Sequence, residues 1–194
     1  MYTLFISTYD KIITIALLKD GEVLEVSKKE SSRNHSVYTV NMIDQILNNN
    51  NIDTHYLNEI IVVNGPGSFT GVRIGVTIAK TLAYTLNIPI KTITSLEAIS
   101  LGVDNDLDKK IVTIKDLKGA FVGYFDKNNE IITNYMYMNK DSYNDFIKDK
   151  EKYIVESDEM NISKIYNYMK SKEPINPHLV NPIYIKGIDA LNGK

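Results

Sequence analysis

The 194-residue sequence predicts an α/β fold, a mixed sheet with helices packed on it. Three observations lead there. Asp20-Gly21 parts two β-prone runs, a strong hairpin signal. The short apolar run "EIIVVN" (59–64) precedes a glycine-rich loop, a long helical run and a further strand. Near residue 101 the texture turns polar in "GVDNDLDKK", which marks a lobe boundary. The chain is therefore read as lobes 1–101 and 102–194.

Each element has its own warrant. "YTLFIST" and "KIITIALLKDGEVLEVSKKE" make three opening strands, the last two antiparallel. "NHSVYTVNMIDQILNNN" reads as a helix capped by Asn34 or Ser36. Val37, Val40, Ile43 and Leu47 fall on one side, and Tyr38, Met42 and Ile46 form a second apolar arc. One arc meets the sheet; the other is lightly buried or meets a partner. Residues 59–64 form a buried strand, Thr70 to Leu86 a helix, and "NIPIKTIT" another strand. The order is βββαβαβ. Beyond residue 101, "IVTIKDLKGAFVGYFDKNNEIITNYMYMN" reads as two or three strands with a turn at Asp126–Asn129. "DSYNDFIKDK", with Asp141 as cap, and "SDEMNISKIYNYMKSK", starting near Asp158 or Asn161, read as short helices. "EPINPHLVNPIYIK" is a proline-punctuated tail, expected to pack back.

Composition excludes several functions. With no cysteine there is no disulfide, thiolate metal site or cysteine nucleophile, which suits a reducing cytoplasm. A net charge of −2 shows no basic excess, so nucleic acid would be held through a partner. The N-terminus lacks a signal peptide's basic region and cleavage site, and no apolar run approaches the roughly 18 residues that span a bilayer. His35, His55 and His178 stand too far apart in sequence to form a helix-borne metal pair. Asp104, Asp106 and Asp108 alternate as in a calcium loop, but that motif's Gly and closing Glu are absent. No catalytic set, metal site or cofactor site is expected.

The loop "NGPGSFTGVRIG" (64–75) asks to be tested as a phosphate cradle. It fails the P-loop pattern, because Gly71 is followed by Val72 and no lysine is placed for a phosphate. It fails the dinucleotide pattern, because a hairpin and a helix precede it. Gly65 and Gly67 are expected to meet unusual backbone angles, Pro66 to restrict its neighbour, and Ser68 to cap the helix beyond Phe69 and Thr70. In that helix Gly71, Gly75, Ala79 and Ala83 form a stripe of small side chains, flanked by Val72 and Val76. Such a stripe admits another backbone closely. Gly75 costs about 0.5–1 kcal/mol against Ala, so close packing is its natural compensation. The neighbour is either the chain's own core or a partner. On the second reading, a bulky residue at Gly75 blocks the partner and leaves the monomer folded.

"VVNGPGSFTGVRIGVTIAKTLA", "ITSLEAIS", "NPIYIK" and the placing of His35 resemble the TsaB (YeaZ) family. The resemblance is strong over residues 1–100. It implies an actin-like, sugar-kinase-like fold with a βββαβα first lobe and, here, a shortened second lobe. It also implies a non-catalytic scaffold or activator of TsaD in threonylcarbamoyladenosine synthesis on tRNA. TsaD would carry the metal and the chemistry, the ATPase TsaE would join the pair, and tRNA would be met only through the complex. The two first-lobe helices would form the interface with TsaD, and with a second copy when the chain is alone. On them the expected contact residues are Tyr38, Met42, Ile46, Gly71, Val72, Gly75, Val76, Ala79 and Ala83, with Gly65, Pro66, Gly67, Ser68, Phe69 and Thr70 as the launching loop. The chain departs from the family pattern at Ser7, where an Asp is usual, at Lys186, where an Arg is usual, and at Lys115, Leu117 and Ala120. Two rival readings stand beside this one: an active ATP-dependent kinase or ATPase of the same superfold, which Ser7 disfavours, and a homodimer with a separate role.

Overall fold

The computed structural model describes residues 1–31, 34–103, 108–148, 150, 154–155 and 159–185. Strands β1 (Tyr2–Ser7), β2 (Ile12–Lys19) and β3 (Glu22–Glu30) run antiparallel in succession, with Asp20 and Gly21 both at positive φ in the predicted turn. Helix α1 (His35–Asn49) leads to β4 (Leu57–Val63), helix α2 (Phe69–Leu86) and β5 (Ile90–Ile93). The first sheet has the order β3-β2-β1-β4-β5, with β4 parallel to both of its neighbours. Its central strands are buried along most of their length because both faces are covered. Helix α1 lies on β2 and β3, and α2 on β4 and β1, side by side.

Helix α3 (Ser95–Gly102), which hydrophobic periodicity did not reveal, leads into a second sheet. That sheet has the order β8-β7-β6-β9, from β6 (Lys109–Lys115), β7 (Gly119–Asp126), β8 (Met136–Asn139) and β9 (Ile154–Val155). Helix α4 (Lys140–Ile147) packs on β7 and β8, and its Tyr143 joins a small core with Ile111, Ala120 and Val122. Helix α5 (Ile162–Met169) packs against α3 and β3. The α4 cap is Asn139, not the expected Asp141: its side chain accepts from the Ser142 N–H. Asn161 caps α5 as expected; Asp158, Asp104, Asp106 and Lys186 lie outside the described residues. Asn34 stands at the α1 cap position in the left-handed region and makes no side-chain cap bond.

Two polar links tie α5 and the second sheet to the first. The buried Lys91 ammonium of β5 lies 2.8 Å from Glu59 of β4 and donates to the Met169 carbonyl at the end of α5. Thr94 and Glu97 form a capping box on α3, and the Tyr135 hydroxyl sits 3.0 Å from Thr94 Oγ1. Burial, aided by the Glu97 carboxylate, pushes the Tyr135 phenol up, so it remains a neutral hydroxyl.

The small stripe of α2 faces inward. Thr8, just past β1, donates from Oγ1 to the Gly71 carbonyl at 2.7 Å. A Cβ at Gly71 would overlap the Thr8 carbonyl, and one at Gly75 would overlap Thr8 Oγ1. The glycines therefore compensate their helical cost by admitting this segment. Bulk at Gly75 strikes the core before it reaches any partner, which corrects the expectation that the monomer would be untouched.

Gly75→Ala is expected to lower the free energy of unfolding by about 1–3 kcal/mol. Thr8→Ala combined with it should recover part of that loss in a double-mutant cycle of denaturation midpoints; additive losses would show that the contact is not the cause. Lys91→Met, which leaves Glu59 buried without its cation, should cost about 3 kcal/mol or more in the same assay. A loss under about 1 kcal/mol would show the pair to be solvated.

Candidate functional site

The glycine-rich loop is shaped by what it encloses. The Ser68 N–H donates to the Tyr9 carbonyl at 2.7 Å, and a Cβ at Gly67 would overlap that carbonyl. Gly65 has φ +99°, open to glycine and strained for other residues, and its peptide to the buried Pro66 is cis. The Pro66 carbonyl accepts from Ser95 Oγ. Ser68 caps α2 by accepting from the Gly71 N–H at 3.2 Å. The loop's amides are thus directed in part at the chain itself. Phe69 and Thr70, the first α2 residues, are exposed.

The expected contact residues stand elsewhere than expected. Gly71, Val72, Gly75, Val76, Ala79 and Ala83 of α2, and Met42 and Ile46 of α1, are buried in the chain's own core. Tyr38 is half-buried, with the Lys29 ammonium 4.0 Å from its ring centroid. None of these nine presents an open side chain to a partner as the monomer stands. The physical reason is that the smallest residues mark where backbone comes closest, and here that backbone is the chain's own.

The two helices nonetheless leave an apolar surface. Val37 and Val40 of α1 are 56% and 53% exposed, although periodicity grouped them with the inward-facing Ile43 and Leu47. Across from them stand Phe69, Ile74 and Ile78 of α2, and the helices enclose a groove of about 400 Å³. Arg73 lies on its wall, with its guanidinium carbon 5.1 Å from the Phe69 ring centroid. A groove with aliphatic walls, an aromatic ring and one guanidinium suits a protein surface. The signal available in sequence was the set of apolar α2 residues off the small stripe.

A second concavity of about 480 Å³ opens between the lobes, lined by Tyr9, Asp10, Phe69, Lys115, Leu117 and Tyr184 among others. Phe69 thus borders both concavities. Leu117 stands fully exposed at the β6–β7 turn, and Ala120 is buried. Ser7 does not reach this cleft; it is fully buried, and its hydroxyl finds no partner among the described residues. His35 is tied to the cleft's edge through Nε2, 3.1 Å from the Asp10 carbonyl. Among the described residues no three His, Asp or Glu side chains gather where they could hold a metal ion, and no helix is long and apolar enough to cross a membrane.

Comparison with known proteins gives this geometry a context. The family described as TsaD, tRNA N6-adenosine threonylcarbamoyltransferase, matches residues 22–116, a span that includes both helices. The tRNA threonylcarbamoyladenosine biosynthesis protein TsaB of Bacillus subtilis is 42% identical over 100 residues, which are 52% of this chain and 44% of that one. The chain thus spans under half the length of that relative. In fold the likeness runs further. The solved structure of YeaZ from Pseudomonas aeruginosa superposes with a TM-score of 0.78 over 94% of this chain and 99% of that one, at 15% identity. A second structure from that organism, described as similar to peptidase YeaZ, gives 0.81 over 95% and 99%, also at 15% identity. The α/β, actin-like fold expected from the resemblance is the fold found. In sequence over about half its length, and in fold over nearly all of it, the chain is of the TsaB (YeaZ) family.

Proposed function

We propose that this chain is the non-catalytic partner of a TsaD-type transferase in the synthesis of threonylcarbamoyladenosine on tRNA. The observation that carries the proposal is the apolar groove between α1 and α2, which the chain's own lobes leave uncovered. Exposed apolar surface of this kind marks a docking site in a soluble protein. The segment holding both helices matches TsaB by name in one comparison and the TsaD family in another. Two chains with related lobes can meet through the same patch on each, as in an isologous dimer. The same patch supports self-association when the chain is alone.

In this reading the contribution to chemistry is positional. Burial of Val37, Val40, Phe69 and Ile78 against the transferase fixes its orientation, and the transferase supplies the reacting groups. TsaE joins the pair, tRNA is held by the assembly, and the work takes place in the cytoplasm. The absence of a basic excess agrees with nucleic acid being gripped by other subunits.

The test is sedimentation velocity of the chain with TsaD from the same source. A one-to-one complex is expected, replacing any self-dimer. Val40→Asp should weaken it about tenfold or more, since a carboxylate would be buried unpaired. Its unfolding midpoint should not move, because Val40 is exposed in the monomer. Failure of the two folded wild-type proteins to associate would refute the proposal. Micromolar binding of Mg-ATP by the isolated chain would instead favour the kinase-like alternative.

A further inference from the structure

Residues 176–185 run back from the second lobe along the flank of α2 opposite α1. They are held there at successive points. Lys80 Nζ donates to the carbonyls of Val180 at 2.8 Å and His178 at 3.3 Å. The His178 ring meets the Tyr84 ring edge-on, with centroids 4.9 Å apart. The Ile183 N–H donates to the Asn64 carbonyl at 2.8 Å, and Tyr184 packs on Phe69 with ring centroids 5.0 Å apart. Val180 turns inward and is buried. Asn176 fixes the short helical turn that follows by accepting from the His178 N–H.

A strap so fastened would be expected to turn its apolar side chains in. It does the reverse at Leu179, which is 69% exposed, beside Tyr84 at 64%. Neither exposure is needed to hold the strap. The surface they form is continuous with the groove, because Phe69 is both a groove wall and the ring on which Tyr184 rests. Arg73 stands on the exposed side of α2 between the two, its cation stacked on Phe69.

We infer that the strap 176–185 is a second wall of the docking surface, contacting the same transferase through Leu179 and Tyr84, with Lys80 as the residue that positions it. This inference rests on the docking reading above. The partner segment it fits is apolar where it meets Leu179 and Tyr84 and carries a carboxylate toward Arg73. A strap already fixed in one conformation loses little freedom on binding, which favours affinity.

The test measures affinity of the full chain for TsaD by titration, with four variants. Leu179→Asp should weaken binding about tenfold, with an unchanged unfolding midpoint. Lys80→Met should weaken it by a smaller factor and raise hydrogen exchange at the Val180 and Ile183 amides. Leu117→Asp, at the fully exposed turn outside this surface, should bind as wild type. Val40→Asp reports on the docking reading itself. If Val40→Asp weakens binding while Leu179→Asp does not, the strap inference is overturned and the docking face stands. If Val40→Asp binds as wild type, the docking face falls, and the strap's role with it. Equal weakening by Leu117→Asp would reduce the effect to added negative charge and overturn the inference.

Discussion

The contact on which the structure turns is that of Thr8 with Gly71 and Gly75. It brings the end of β1 against α2 closely enough that no other side chain than hydrogen fits at either glycine. Once α2 is seated there, its inward face is Val72, Val76, Ala79 and Ala83, and its outward face follows from helical geometry. Phe69, Arg73, Thr77 and Tyr84 are outward because Gly71 and Gly75 are inward. The adjoining α1, laid on β2 and β3, can then only partly cover the flank carrying Ile74 and Ile78. The exposed apolar groove is therefore a consequence of how the core closes.

That contact also explains which features were legible in the sequence. The hairpin, the buried β4, the α2 boundaries and the Ser68 cap were readable because local chemistry determines them. The order βββαβαβ followed. The direction of the α2 stripe was not readable, since periodicity identifies a face without saying what lies against it. In α1 both arcs were apolar, and the division proposed from spacing put Val37 and Val40 with residues that turn inward. The actual division runs between Thr39, Met42, Ile43, Ile46 and Leu47 inside and Val37 and Val40 outside, set by the tilt of α1 on the sheet. Helix α3 left a sign that was passed over: Thr94 and Glu97 have capping-box spacing.

The second lobe is smaller and serves the first. Its sheet closes a minor core around Tyr143, while α5 and the strap return to the first lobe. The Lys91–Glu59 pair and the Lys80 contacts fasten those returning segments at well-defined points. Between the lobes, the cleft keeps the outline of a ligand site, yet Ser7 places no carboxylate in it. On this account the fold has kept its architecture while the surface that matters moved to the outer side of α2.

The most direct measurement is methyl NMR of this chain, labelled at Ile, Leu and Val, as unlabelled TsaD is added. The account predicts shifts or broadening at Val37, Val40, Ile74, Ile78 and Leu179, with Ile114 and Leu117 of the cleft unmoved. Changes confined to Ile114 and Leu117, or none at all with both proteins folded, would contradict it.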